Sequence, residues 1–95
     1  MLSREDFIFT IGYEGPLAVI DGQSRKRNRS LSTAALIEKG LFRAAYSSAV
    51  YSRDPEESRL VAEAYSRLTG DSIDPKTLDR LFGVIPLDVK RSMVL

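Results

Sequence analysis

Phe7-Ile-Phe-Thr-Ile-Gly-Tyr-Glu-Gly-Pro-Leu-Ala-Val-Ile-Asp21 sets the class of this chain. At period two, Phe7, Phe9, Ile11 and Tyr13 share one side, and Ile8, Thr10 and Gly12 share the other. β-Branched and aromatic residues in that alternation predict a strand. Glu14-Gly15-Pro16 interrupts it, because glycine permits positive φ and proline has no N–H to give to a ladder. Leu17-Ala18-Val19-Ile20 is a second short apolar run, closed by Asp21-Gly22. The reading is a β-hairpin over about 7–21. Both of its faces carry apolar groups, and an isolated hairpin is marginal in water, so other elements must cover it. The expected cover is a set of helices over the face of Phe7, Phe9 and Ile11.

Outward from the hairpin, residues 22–30 contain no apolar side chain and read as a basic loop. Residues 31–95 read as helical. Ser32 or Thr33 caps a helix over about 33–39. Gly40 ends it in a left-handed conformation, with Leu41 packing back on Leu36. A second helix covers about 42–52. Asp54-Pro55-Glu56-Glu57 starts a third, with a capping aspartate, proline at the first helical position and acids in the first turn. Leu60, Val61, Ala64, Tyr65 and Leu68 then recur at helical spacing up to Gly70. Asp74-Pro75 starts a shorter helix that Gly83 ends. Pro86-Leu87-Asp88 starts a last one, with Val89 and Met93 inward, and the terminal Met-Val-Leu docks. The fold class is α+β, helix-dominated, with an N-terminal β-hairpin packed on four or five short helices. The 95 residues make one domain.

Charge is nearly balanced overall, with 14 basic and 13 acidic groups, but its distribution is uneven. Residues 23–53 carry seven basic groups against the single acid Glu38. The candidate anion- or nucleic-acid-binding residues are Arg25, Lys26, Arg27, Arg29 and Arg43, since guanidinium forks suit phosphate oxygens. For nucleic acid, Lys39, Arg43 and Arg53 must share a face with the loop. The helix–glycine–helix over 33–52 is also tested as a helix-turn-helix. Its reader would offer Arg43, Tyr46, Ser47, Ser48 and Tyr51, an Ala/Ser-rich set better suited to packing than to base edges.

The chain has no histidine and no cysteine. That removes the commonest general base, disulfides and thiolate metal sites. Glu56 and Glu57 are explained by helix electrostatics, and no catalytic, cofactor or metal residue is expected. Apolar runs fall far short of the ~20 residues a membrane span needs, and the polar N-terminus shows no signal stretch, so the expected setting is the cytoplasm. Thr10-Ile11-Gly12-Tyr13-Glu14-Gly15 resembles the opening strand of an uncharacterised bacterial family. The helix and the Val-Asp-Val-Arg strand that should follow are missing, so these residues are read as strand and turn. The expected function is a small non-catalytic binding or regulatory module, acting by protein–protein interaction or as a homodimer through the hairpin edge. The alternative is nucleic-acid or phosphate binding through residues 25–29, and a small enzyme is the least expected.

Overall fold

A computed structural model describes residues 3–15, 17–84 and 91–95, and of Arg91 the backbone only. Its first element departs from the alternation. Ser3 is an N-cap whose Oγ accepts from the Asp6 N–H at 3.2 Å, and Glu5 and Asp6 place acids in the first turn. Helix α1 therefore spans Arg4–Ile8. Phe7, Ile8, Phe9 and Thr10 are all buried. A helical turn running into a bend can bury four consecutive side chains, whereas a strand sends every second one to the opposite face.

The hairpin follows as β1, Thr10–Glu14, and β2, Leu17–Ile20, paired antiparallel with Glu14 opposite Leu17 and Thr10 opposite Ile20. The register shifts between Thr10 and Gly12, so Ile11 is the extra residue of a bulge. Ile11 is 50% exposed, not covered by helices as period two predicts.

Residues expected as the first part of the basic loop form α2, Gly22–Arg27. Asp21 caps it, accepting from the Ser24 N–H at 3.1 Å and the Ser24 hydroxyl at 2.9 Å. Arg25, Lys26 and Arg27 occupy its last turn, where cations complement the helix dipole. The helix buries none of its residues, which is why no apolar periodicity announced it. The irregular segment shrinks to residues 28–32, with Ser30 at φ +63°.

The later helices obey their start and stop signals: α3 Thr33–Glu38, α4 Phe42–Ser52, α5 Pro55–Thr69 and α6 Pro75–Phe82. Asp54 and Asp74 cap α5 and α6 through the N–H groups of Glu56 at 3.0 Å and Thr77 at 2.8 Å. Between α3 and α4, Gly40 has φ +76°. Its N–H donates to the Ile37 carbonyl and that of Leu41 to the Leu36 carbonyl, both at 2.9 Å, which is the paired pattern of a Schellman ending.

The last expected helix starts at Pro86, outside the described residues, and its expected continuation to Met93 is not helical. The chain returns as β3, Arg91–Val94, parallel to β2 with Leu17 opposite Arg91 and Ile20 opposite Val94. The sheet thus has three strands, in the order β1-β2-β3. Met93, expected inward, lies on β3 and is 37% exposed. The fold is α+β and helix-dominated, with the hairpin packed on helices as expected. Six helices stand among the described residues.

Helix α4 is the hub. Ala44, Ala45 and Ala49 are buried on it, and their small side chains let α1, α3 and α5 approach closely. Ile8, Ile20, Leu36, Val61 and Leu78 fill the core, one from each surrounding element. A polar seam crosses it. Arg4 donates to the Leu31 carbonyl at 2.6 Å and to the Ser48 hydroxyl at 2.8 Å. Ser48 meets Thr33 at 2.8 Å, and Thr33 donates to the Glu57 carboxylate. Ser52 donates to the other oxygen of Glu57 at 2.6 Å. Every hydroxyl in the seam is partnered, so four elements are held without an orphaned polar group.

Candidate functional site

The five candidate cations do not form one cluster. Arg25 is tied to α1, its Nη1 lying 2.5 Å from the Asp6 carboxylate, with both side chains about three-quarters buried. Lys26, Arg27 and Arg29 are exposed and make no ion pair among the described residues. Arg25, Lys26 and Arg29 line a recess of about 420 Å³ between α2 and the end of β3, with Val94 and Leu95 as its apolar wall. Arg27 does not line this recess. The carboxyl of Asp21 is held below its ordinary value first by the Ser24 backbone N–H, then by the Ser24 hydroxyl, with Arg27 a minor contributor.

Arg43 sits apart, at the start of α4. Its Nη2 donates to the Thr10 carbonyl on β1 at 3.3 Å, and its Nε is buried without a partner. It lines a second cavity, of about 290 Å³, against Ile8, Phe9, Ile11, Leu41 and Phe42. Asp21 and Ser24 form the polar side of that cavity. Tyr13 lies within reach of the Arg43 charge: burial pushes its hydroxyl upward in pKa, and Arg43 opposes that. Of the other cations that a nucleic-acid face needs, Lys39 donates to the Asn28 side-chain carbonyl at 3.0 Å, at the exit of α2. The basic face is therefore α2 and its exit, without Arg43.

The helix-turn-helix reading fails on burial. The turn exists, but Tyr46, Ser47 and Ser48 on the would-be reader are 3%, 2% and 2% exposed. Tyr51 packs on Phe7 with ring centroids 5.6 Å apart and ring planes tilted by 46°. The Ala/Ser-rich face of α4 is core. Tyr46 donates to the Asp79 carboxylate and lies 3.3 Å from the Pro75 carbonyl, tying α4 to α6. Burial, then the bond to Asp79, pushes the Tyr46 hydroxyl far above its ordinary pKa.

A further surface feature is the β1 side of the sheet. Among the described strands β1 pairs only with β2. Arg43 occupies the Thr10 carbonyl at one end, and the bulge bends the strand there. The stretch from Ile11 to Tyr13 carries neither charge nor proline. No group of three metal-ligating side chains occurs among the described residues, and no described helix is long and apolar enough to cross a membrane. Comparison with protein-family models, curated proteins and solved structures finds no match to this chain.

Proposed function

We propose that this chain is a non-catalytic binding module of the cytoplasm that pairs with a second copy of itself along the open edge of β1. One observation carries the reading: an edge strand with neither charge nor proline between Ile11 and Tyr13, and with Ile11 half exposed on it. Such an edge is a template for another strand, and natural proteins usually guard it with a lysine, a proline or a covering element. A two-fold axis lets the same edge meet itself antiparallel, which closes the assembly at two copies. The test is size-exclusion with light scattering. The native chain should run at twice its mass at high micromolar concentration. Ile11→Lys places a charge in the edge and should give a monomer with unchanged circular dichroism. Thr10 is unsuitable for this purpose, because its hydroxyl donates to the Asp6 carbonyl and its own carbonyl accepts from Arg43. A native chain that stays monomeric overturns the reading.

The recess holding Arg25, Lys26 and Arg29 favours a second reading, in which α2 contacts nucleic acid or another phosphate-bearing partner. Arg25 is committed to Asp6 and Arg27 does not line the recess, so Lys26 and Arg29 remain. Two phosphate contacts imply a log–log salt slope of about −1.8 on duplex DNA. Binding without that salt dependence, or binding that survives replacement of Lys26, Arg27 and Arg29 by alanine, removes α2 from the account.

A further inference from the structure

Arg43 breaks several local rules at once. It is the second residue of α4, where the helix dipole disfavours a cation. Leu41, the N-cap, offers no side-chain acceptor there. The Arg43 side chain is half-buried, and no carboxylate pairs with it among the described residues. Among the described residues its five N–H donors meet one acceptor, the Thr10 carbonyl at 3.3 Å, and Nε is buried with none. A desolvated charge without a counter-charge is costly. The other half-buried arginines of the N-terminal half do not share the problem: Arg4 has Glu5, Ser48 and the Leu31 carbonyl, and Arg25 has Asp6.

The cavity of about 290 Å³ opens beside this unpaired guanidinium. Asp21 borders it, but its carboxylate faces the N–H and the hydroxyl of Ser24, and no hydrogen bond or ion pair links it to Arg43. We infer that this cavity binds a small monocarboxylate with an apolar body, the carboxylate taking the Arg43 guanidinium and the body lying against Ile8, Phe9, Leu41 and Phe42. The ligand class follows from the walls. One cation matches one negative charge. The Asp21 carboxylate on the same rim disfavours a dianion such as phosphate. The apolar lining calls for a ring or a short alkyl chain, and few polar groups around an apolar pocket is the ordinary make-up of a small-molecule site. The inference does not depend on pairing along β1. Ile11 borders both surfaces, so the test is made on Arg43.

The probes are benzoate and hexanoate, with benzamide and hexanamide as uncharged counterparts. The carboxylates should raise the melting temperature of the native chain and move the amide resonances of residues 8–11 and 41–44, and the amides should do neither. Arg43→Lys keeps the charge and loses the fork, and should weaken benzoate about tenfold. Arg43→Met should abolish the benzoate effect and raise the melting temperature of the ligand-free protein, because it removes an uncompensated charge. A merely structural arginine predicts the opposite sign for that last measurement. The inference is overturned if neither carboxylate moves those resonances at tens of millimolar, if the amides bind as well as the acids, or if Arg43→Met lowers the ligand-free melting temperature.

Discussion

Gly40 and Arg53 occupy the same left-handed region, at φ +76° and +58°, with opposite chemical fitness. Gly40 was legible: a glycine after Glu38-Lys39 and before an apolar residue is a Schellman ending in the sequence itself. A Cβ at Gly40 would meet nothing within 4 Å, so Gly40→Ala costs backbone conformation alone, about 1–2 kcal/mol. Arg53 was not legible, because arginine carries no turn signal. Its conformation is forced from behind: Asp54 must be extended before Pro55, so the reversal after α4 falls on residue 53. Arg53→Gly should stabilise by about 0.5–1 kcal/mol, the relief of strain less the glycine entropy. Urea melts of the two variants should therefore shift in opposite directions. Tyr46 adds a pH dependence. Its folded-state pKa is raised, so the unfolded chain loses that proton first as pH rises. The stabilisation is fully present below the ordinary tyrosine value near 10 and is lost progressively above it. Tyr46→Phe should cost about 1–2 kcal/mol at neutral pH through the lost bond to Asp79. It should also flatten the fall in urea midpoint between pH 9 and pH 11. An unchanged alkaline slope would mean that another group carries it.

Elements held by caps and elements held by packing were not equally readable. Helices α3 to α6 combine both, and the reading placed them within a residue or two. Helix α1 has a cap at Ser3, but its Phe-Ile-Phe run also fits a strand, and only the joint burial of Phe7 and Ile8 separates the two. Helix α2 has no buried residue and so no stripe to find, although its Asp21-x-x-Ser24 cap was present in the sequence. With little packing to sustain it, α2 should depend on that cap. Asp21→Ala should lower hydrogen-exchange protection of the amides from Ser24 to Asn28 and leave α4 untouched. Acidification should act in the same direction. The folded-state pKa of Asp21 is depressed, so its contribution is present above the ordinary carboxylate value and is lost as pH falls through the folded one. If the protection of α2 is indifferent to both changes, the helix is held by something other than its cap. The candidate cations depend on the same element. Their chemistry was legible from residues 25–29, but their division was not, because Asp6 and Thr10 reach Arg25 and Arg43 from segments distant in the chain.

At the scale of the molecule, the class of fold was readable from one period-two stretch followed by a series of helix signals, because local pattern fixes what each segment can become. The third strand was not. A short apolar terminus has no periodicity of its own, and its pairing is decided by β2, whose identity lies at the other end of the chain. That pairing sets an order of events. β1 meets β2 across a tight turn, and α3, α4, α5 and α6 each meet a near neighbour, so these contacts close small loops, while α1 meets α4 across a larger one. Ile20 and Val94 are partners across nearly the whole helical body. Closing that loop is slow and gains little until the helices have brought its ends together. Strand β3 should therefore assemble after the rate-limiting step. Val94→Ala should accelerate unfolding in a stopped-flow chevron and leave the refolding limb almost unmoved. On this order, residues 4–82 reach their architecture first, and β3 closes a structure already formed.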